Sequence, residues 1–356
     1  MIDLDIATDP ASPCWLSDDL GRLIDSLKTY DFVEVVADEN TRLYGEEIVR
    51  KLSSSKACIS VVPAGEGSKS FGVLESLCES ISTRISRKSA VVGVGGGVIG
   101  DLAGFCSSIL FRGVDYFLVP TSLLAMVDSS IGGKTGINLS TGKNLVGNFI
   151  TPRGIFLNLD SLKTLKTREI WSGVGEMVKH CLLDSEDSFE EFCQFLDQLD
   201  PQKPGSLKDW ILHSIGVKKS VVEKDFKEGG LRKVLNLGHT IGHGIEMAQK
   251  FSIPHGVCVL MGILIEQELA NSLELGSSLT EPLNKILRYS GFASKIPGLE
   301  SYLPFLSQDK KNVGGEIHFV FLEAPGKIQD FSGTYSYGME YDRLSHHLSQ
   351  ICLETG

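Results

Sequence analysis

The chain has 356 residues, of which 42% are hydrophobic and 22% are charged, as in an ordinary globular protein long enough for two domains. Its formal net charge of −11 argues against a nucleic-acid-binding surface, which needs basic patches to neutralise phosphates. No stretch approaches the ~20 consecutive apolar residues that cross a bilayer, and the first 15 residues carry three aspartates instead of an apolar signal-peptide core. Eight cysteines without a C-x-x-C pair favour reduced thiols. We therefore expect a cytoplasmic protein that binds neither nucleic acid nor membranes.

Strand and helix patterns alternate in the first half of the chain. Five short runs rich in β-branched residues predict strands at residues 32–37, 58–62, 89–94, 116–119 and 155–159. Helical spacing of apolar residues predicts helices at residues 42–52 and 71–82. This alternation is typical of an α/β domain with a mainly parallel sheet, in which ligands gather at the carboxyl ends of the strands.

A glycine-rich turn follows the third predicted strand. In VVGVGGGVIGD, Gly95, Gly97 and Gly100 satisfy G-x-G-x-x-G, and the apolar residues that follow can open a helix. Such a turn lets the backbone approach a pyrophosphate, but it is equally typical of a plain tight strand-to-helix connection. The acidic residue best placed to bind a ribose, Asp38, ends the first predicted strand and precedes the glycines instead of following them. We therefore expect a nucleotide-binding domain whose sheet order differs from the standard dinucleotide fold.

The segment LVPTSLLAMVDSSIGGKTGINLSTGKNLVGN joins the two halves. It is rich in Gly, Ser and Thr and carries Asp128, Lys134, Lys143 and Asn144. One interpretation is a solvated connector with incidental lysines. The other is a binding segment, because backbone donors and two ammonium groups suit a phosphate or a polyol.

The second half has a different pattern. Amphipathic spacing predicts helices at residues 168–183, 188–199, 206–223, 239–251, 257–272, 281–289 and 342–351. A small hairpin is predicted from residues 317–322 and 327–329. The predicted organisation is an α/β nucleotide-binding domain at residues 1–161, followed by an all-α metal- and substrate-binding domain at residues 162–356.

Metal-ligand residues are spread over this second half. Glu176, His239, His243 and His255 offer one carboxylate and three imidazoles. A carboxylate with two histidines is the ligand set of a catalytic zinc, which keeps a position open for water or substrate. The simpler interpretation of Glu176 is an intrahelical ion pair with Lys179. His239 and His243 share one helical face, so spacing leaves open whether His243 or His255 is the third ligand.

Seven sequence blocks occur in this order: GGGVIGDLAGF, VPTSLLAMVDSSIGGKTGIN, GKNLVG, GEMVKH, LNLGHTIGHGIE, PHG and DKK. Together they resemble the 3-dehydroquinate synthases of the sugar-phosphate cyclase superfamily. The resemblance runs from about residue 35 to residue 332. It implies a homodimeric, phosphate-eliminating lyase of the shikimate pathway. Such an enzyme converts 3-deoxy-D-arabino-heptulosonate 7-phosphate to 3-dehydroquinate and phosphate, using NAD transiently.

The resemblance also implies site residues. The residues implied to bind zinc, or Co²⁺ in its place, are Glu176, His239 and His255. The residues implied to hold NAD are Asp38, Asn40, Glu66, Lys69, Gly97, Val98, Ile99, Gly100, Asp101, Thr121, Ser122, Lys143, Ser161, Leu162, Lys163 and Thr164. Those implied to contact the phosphorylated sugar-acid substrate are Asp128, Lys134, Asn144, Lys179, Lys218, Arg232, Asn236 and His243, with Arg112 from the partner subunit and Lys310 or Lys311. One departure is Phe226, at a position where Glu is common in the family.

Two other functions share parts of this pattern. Another sugar-phosphate cyclase would make a valiolone or inosose precursor from a different sugar phosphate. Asn144, Asn236 and the lysines of DKK favour the dehydroquinate branch, because contacts to the substrate carboxylate and hydroxyls fall there. A metal-dependent polyol dehydrogenase would share the two-domain plan but would release reduced cofactor.

Overall fold

The structure is a computed structural model that describes residues 2–6, 12–16, 20–53, 55–201, 203–292, 296–306 and 315–351. The chain divides into two compact units, Met1–Leu165 and Lys166–Gly356. Among the described residues, no helix combines the length and the apolarity that a membrane span needs.

The first unit is an α/β unit. Its described helices are α1 (Gly21–Leu27), α2 (Arg42–Leu52), α3 (Phe71–Ser82) and α4 (Gly97–Ile109). Its described strands are β1 (Ile2–Ile6), β2 (Ser12–Leu16), β3 (Val33–Asp38), β4 (Ala57–Val62), β5 (Ala90–Gly95), β6 (Asp115–Pro120), β7 (Lys134–Leu139), β8 (Gly142–Phe149) and β9 (Gly154–Leu157).

Seven of these strands form one sheet in the order β1-β2-β9-β6-β5-β3-β4. The strands from β2 to β4 in that order pair in parallel, and β1 pairs antiparallel with β2. Counted along the chain, the parallel strands β3, β4, β5, β6 and β9 lie in the order 2-1-3-4-5, which is the flavodoxin-like arrangement. The expected departure from the standard dinucleotide order is therefore confirmed. The end of β3 lies beside the end of β5, and ligands gather there in such sheets.

The central strands are covered along their whole length. Every residue of β3 and β5 is buried, including Glu34 and Asp38, and burial on both faces is typical of central parallel strands. Leu23 and Leu27 from α1 and Ile48 from α2 join Val35 and Val92 in one apolar cluster. This core holds the carboxyl edge of the sheet in place.

The five predicted strands of the first unit correspond to β3, β4, β5, β6 and β9, with ends that differ by one or two residues. The β7–β8 hairpin was not predicted. It lies in the Gly-, Ser- and Thr-rich segment, and β8 is exposed or half-buried throughout, so it lacks the apolar alternation that reveals a strand.

The second unit is mainly helical. Its described helices are α5 (Thr167–Asp184), α6 (Glu186–Leu196), α7 (Lys208–Lys224), α8 (His239–Ala248), α9 (His255–Ser272), α10 (Thr280–Ser290), α11 (Leu299–Leu306) and α12 (Tyr341–Gln350). Its described strands are β10 (Glu316–Phe319), β11 (Leu322–Ala324), β12 (Lys327–Ile328) and β13 (Tyr337–Glu340). The predicted helices are confirmed with shifted ends, and α11 is additional.

The predicted hairpin at residues 317–322 and 327–329 is confirmed in part, because Leu322 pairs with Ile328, whereas residues 317–319 pair with a later strand. β10 pairs with β13, and the shorter β11 pairs with β12, so the apolar run belongs to two separate strands. Because β13 lies outside the predicted hairpin, local spacing gave no sign of the first pairing.

Helix α9 is the centre of the helical unit. Its sequence VCVLMGILI is apolar on all sides, and every residue from Gly256 to Ile265 is buried. A helix that is apolar all round is enclosed by other elements. Here α5, α8 and α10 pack against it.

Candidate active site

Three metal-ligand side chains converge in the second unit. Glu176 lies on α5, His239 is the first residue of α8, and His255 is the first residue of α9. The Nε2 atoms of His239 and His255 lie 3.4 and 3.2 Å from Glu176 Oε1. A tetrahedral ion with bonds of about 2.1 Å separates its ligand atoms by about 3.4 Å. The three side chains therefore fit a divalent metal ion.

Glycines bring the three helices close enough for this geometry. A Cβ atom on Gly175 would lie 2.1 Å from the carbonyl oxygen of Gly256, and one on Gly256 would lie 2.1 Å from that of Ser172. Gly238, at φ +74°, precedes α8, and its Cβ would lie 2.7 Å from the carbonyl oxygen of Val259. Each ligand is thus adjacent in sequence to a glycine whose missing side chain permits backbone contact between helices.

Hydrogen-bond partners orient the two imidazoles. Nδ1 of His239 lies 3.1 Å from the carbonyl oxygen of Leu237, an acceptor that requires a proton on Nδ1. Nδ1 of His255 faces Glu246 Oε2 at 3.5 Å. Both contacts occupy Nδ1 and leave Nε2 of each ring facing Glu176, the arrangement found in metal-binding histidines generally.

The structure also brings together His243, Glu246 and His255, with ligand atoms within 4.8 Å of one another. Burial distinguishes the two sets. The Glu176 side chain is 0% exposed, whereas that of Glu246 is 13% exposed. A fully buried carboxylate requires positive charge nearby, so the set containing Glu176 has the stronger need for a metal ion.

Charge is concentrated around Glu176. Burial by itself raises the pKa of this carboxyl, but the Lys179 ammonium and the His239 imidazole outweigh it and hold the pKa well below its usual range. Lys179 is 1% exposed, pairs with Glu176 and donates from Nζ to the carbonyl oxygen of Leu235 at 2.9 Å. Burial lowers the pKa of His255, yet its hydrogen bonds to Glu176 and Glu246 raise that pKa to about 10. Glu176 is therefore an anionic ligand, and the predicted ion pair with Lys179 exists beside it.

A second buried carboxylate supports the start of α8. Glu266 on α9 is 0% exposed, and its two oxygens accept the backbone N–H groups of Gly238 and Ile241, each at 2.9 Å. This is a helix cap supplied by a neighbouring helix. It fixes the first turn of α8, which carries His239.

The glycine turn of the first unit joins β5 to α4. Gly95 ends the strand, and a Cβ atom there would lie 2.6 Å from Ile99. Gly97 begins the helix, and its Cβ would lie 3.0 Å from Ser129 Oγ. The N–H groups of the first helical turn have no intrahelical partner, so this turn can bind an anionic group such as a phosphate.

Asp38 lies at the same edge of the sheet. Its Oδ1 accepts the N–H groups of Asn40 at 3.0 Å and Thr41 at 2.9 Å. Thr41 Oγ1 donates to the carbonyl oxygen of Val94 at 2.8 Å, which ties the turn after β3 to the end of β5. The sheet thus places an acidic residue beside the glycine turn, although Asp38 precedes that turn in sequence.

A hydrogen-bonded cluster connects four more predicted residues of the first unit. Lys69 is 4% exposed, and its Nζ lies 2.5 Å from Asp101 Oδ2 and donates to Asn144 Oδ1. Asn138 donates from Nδ2 to Glu66 Oε1 at 2.7 Å and accepts the N–H group of Asn144 at 2.8 Å. The β7–β8 hairpin therefore brings Asn144 to residues that lie far from it in sequence.

Comparisons with known proteins agree over both units. The family model described as 3-dehydroquinate synthase N-terminal matches residues 59–172, and the one described as 3-dehydroquinate synthase C-terminal matches residues 173–312. The chain belongs to the 3-dehydroquinate synthase family.

Individual relatives have the same name. The 3-dehydroquinate synthase of Alkaliphilus metalliredigens is 37% identical over 306 residues, which cover 84% of this chain and 86% of that protein. The 3-dehydroquinate synthase of Bacillus pumilus is 37% identical over 349 residues, which cover 93% of this chain and 95% of that protein. A crystal structure of 2-deoxy-scyllo-inosose synthase complexed with carbaglucose-6-phosphate, NAD+ and Co²⁺ matches with a TM-score of 0.86 and 26% identity, covering 99% of this chain and all of that one.

Buried cations accompany the metal ligands in this member of the 3-dehydroquinate synthase family. Lys218 on α7 is 6% exposed, and Arg232 is 3% exposed in the 3₁₀ turn Leu231–Asn236. Asn236 donates from Nδ2 to Glu228 Oε1 at 3.2 Å. Arg232 also donates to the backbone carbonyl of Phe226. Because this hydrogen bond uses the backbone carbonyl of residue 226, it forms with Phe226 as it would with the Glu that is common there in the family.

The other predicted residues of this family member occupy several elements. Asp128 lies in the helical turn Ala125–Ser129, exposed Lys134 begins β7, and exposed Lys143 lies on β8. Arg112 is exposed in a left-handed turn after α4, at φ +67°. The remaining cofactor candidates are Thr121 and Ser122 after β6, and Ser161, Leu162, Lys163 and Thr164 in the 3₁₀ turn Leu159–Thr164. Lys310 and Lys311 lie outside the described residues.

Four residues of these clusters were not predicted: Asn138, Glu228, Glu246 and Glu266. Two of them have a signal in the sequence. Glu246 follows His239 by seven residues and so returns to the same helical face, and Glu266 directly follows the apolar run VCVLMGILI, where a carboxylate is unusual. Asn138 and Glu228 have no comparable signal, because their contacts depend on tertiary structure.

Proposed function

We propose that this chain is a 3-dehydroquinate synthase that converts 3-deoxy-D-arabino-heptulosonate 7-phosphate to 3-dehydroquinate and inorganic phosphate. The observation that carries the proposal is the cluster of Glu176, His239 and His255, in a chain whose two units both match this family. We also propose the cytoplasmic location and the homodimer expected from the sequence.

We propose NAD and a zinc ion, or Co²⁺, as the cofactors. The inosose synthase relative was solved with NAD+ and Co²⁺, which supports this pair. When bound, the two supply a hydride acceptor and a Lewis acid at one hydroxyl group of the substrate. Glu176 contributes a negative charge to the metal site, and the contacts of His239 and His255 hold their Nε2 atoms toward it.

Cationic side chains provide the substrate site. The substrate carries a phosphate and a carboxylate, and the protein as a whole is acidic, so positive charge must be gathered locally. Lys179, Lys218 and Arg232 are buried cations, and charges in such an environment interact with an anion more strongly than solvated ones. We assign them, with Lys134, to binding the phosphate and carboxylate groups.

The chemistry follows from the order of the steps. Oxidation of the hydroxyl at carbon 5 to a ketone acidifies the neighbouring C–H bond, which permits elimination of phosphate. Reduction then restores the alcohol, and ring opening and aldol closure give the carbocycle. The departing phosphate accepts the proton from carbon, so the chain needs cations that hold the phosphate in position more than it needs a strong base.

A substrate comparison tests the function. The purified protein, supplied with NAD and zinc, should cyclise the heptulosonate phosphate without accumulating NADH. Cyclisation of sedoheptulose 7-phosphate but not of the heptulosonate would instead assign a different cyclase. NADH formed in proportion to product would indicate a polyol dehydrogenase.

Lys134→Ala is expected to lower turnover by about 100-fold or more while leaving the dissociation constant of NAD within about twofold. The reason is that Lys134 is assigned to the substrate, whereas the proposed NAD residues in its unit are unchanged. Steady-state kinetics and NAD titration by calorimetry measure the two effects. Lys88→Ala, at another exposed lysine of the same unit, should change neither quantity. A large loss of NAD affinity in Lys134→Ala would show that this lysine was assigned to the wrong ligand.

Mixing two inactive variants tests the assignment of Arg112 to the partner subunit. In a dimer formed from Arg112→Ala and Lys134→Ala chains, one of the two sites keeps both residues if Arg112 acts across the interface. Random subunit exchange should then restore about one quarter of wild-type activity. No recovery after demonstrated exchange would place Arg112 in the site of its own chain, or in neither.

A further inference from the structure

Asn138 lies between residues that the proposed function gives to two different ligands. Its Nδ2 donates to Glu66 Oε1 at 2.7 Å, and its Oδ1 accepts the N–H group of Asn144 at 2.8 Å. Its own N–H group donates to the backbone carbonyl of Lys69 at 2.8 Å. All three distances are those of well-formed hydrogen bonds.

These contacts close a ring of three residues. Asn138 holds the backbone of Asn144, the side chain of Asn144 accepts from Lys69 Nζ, and the backbone of Lys69 accepts from Asn138. Lys69 is 4% exposed and also pairs with Asp101 at 2.5 Å. The position of each member therefore depends on the other two.

Asn144 needs this support. Its φ of +53° lies in the left-handed region, which a residue with a side chain adopts only at a cost in free energy. The hydrogen bond from its N–H group to Asn138 Oδ1 stabilises that backbone conformation. The backbone conformation of Asn144 therefore depends on the side chain of a residue six positions earlier.

We propose that Asn138 is a positioning residue that holds residues of the NAD site and of the sugar-phosphate site in place together. The inference rests on the proposed function, in which Glu66 and Lys69 hold NAD and Asn144 contacts the substrate. Because one side chain holds both sets of contacts, its loss weakens the binding of both ligands.

Asn138→Ala removes both side-chain bonds. In the full-length, metal-loaded enzyme, the NAD dissociation constant and the substrate KM should each rise about tenfold, the effect of losing a hydrogen bond to a charged or functional group. Calorimetry measures the first constant and phosphate release the second. Asn148→Ala is the matched control, because Asn148 lies on the same hairpin and its Oδ1 accepts the N–H group of Phe149 instead. The control should leave both constants within about twofold.

Asn138→Asp separates the two contacts. Aspartate keeps an acceptor for the Asn144 N–H group but places a carboxylate against Glu66, so the NAD dissociation constant should rise more than the KM. Adding Glu66→Gln restores a donor–acceptor pair. The double variant should then bind NAD as well as Glu66→Gln alone does. A residue that serves only the stability of the hairpin would show no such recovery.

The proposal is overturned if Asn138→Ala lowers the melting temperature while both binding constants match those of Asn148→Ala. It is also overturned if the double variant binds NAD no better than Asn138→Asp. Failure of the proposed function is visible separately, because the wild-type enzyme would then release no phosphate from the heptulosonate phosphate, while its NAD titrations would still test the contact between Asn138 and Glu66.

Discussion

Glu176→Gln is expected to remove the metal ion and to lower turnover by about 10³-fold or more. Glutamine has nearly the same shape, but it lacks the negative charge that lies between Lys179 and two imidazoles. Lys179 is 1% exposed and would lose its counter-charge, so the free energy of unfolding should fall as well, by about 3 kcal/mol. Metal content of the folded, gel-filtered protein and steady-state kinetics are the measurements.

Glu169→Gln is the matched control, because Glu169 lies in the first turn of the same helix and its side chain is 46% exposed. This variant should keep its metal and its activity. If Glu176→Gln retained one ion per chain, the metal would have to be bound by other residues, and the set of His243, Glu246 and His255 would be the first to test.

Gly175→Ala is expected to destabilise the protein and weaken metal binding together. The new Cβ would lie 2.1 Å from the carbonyl oxygen of Gly256, and this oxygen belongs to a helix backbone that cannot rotate away as a side chain could. Helices α5 and α9 would have to separate, at a cost of about 3 kcal/mol in the free energy of unfolding. Because Glu176 and His255 are the adjacent residues, the metal dissociation constant should rise at least about tenfold.

Gly216→Ala provides the comparison. Gly216 lies in the middle of α7, and a Cβ there would meet nothing within 4 Å. Alanine should therefore stabilise this helix by about 0.5–1 kcal/mol and leave the metal site unchanged. Denaturant unfolding and competition with a chromophoric chelator measure both variants. Equal metal affinity in Gly175→Ala and the wild type would mean that close helix contact does not set the ligand geometry.

The central strands and most helices could be predicted because their patterns are local. The run of β5 is apolar throughout, that of β3 is apolar except for Glu34 and Asp38, and α2 repeats its apolar residues at helical spacing, so their positions follow from the sequence alone. The exposed hairpin β7–β8 has no such pattern. The pairing of β10 with β13 joins segments about 20 residues apart, and nothing in either segment identifies its partner.

The sequence predicted which residues belong to the site better than it predicted how those residues are arranged in space. Helical spacing places His239 and His243 on one face, but the choice between His243 and His255 depends on how α8 and α9 pack. That packing is set by glycines such as Gly238 and Gly262, whose close contacts appear only in three dimensions. Residues that act through others, such as Asn138, were missed for the same reason.

Phosphate release from 3-deoxy-D-arabino-heptulosonate 7-phosphate, measured with and without a chelator, tests the metal-dependent synthase most directly. With NAD present in catalytic amounts, the protein should release one phosphate for each substrate consumed. Chelation should stop the reaction, and added zinc or Co²⁺ should restore it. Phosphate release that continues at the same rate after the metal has been removed would contradict the assignment of Glu176, His239 and His255 as the centre of the site.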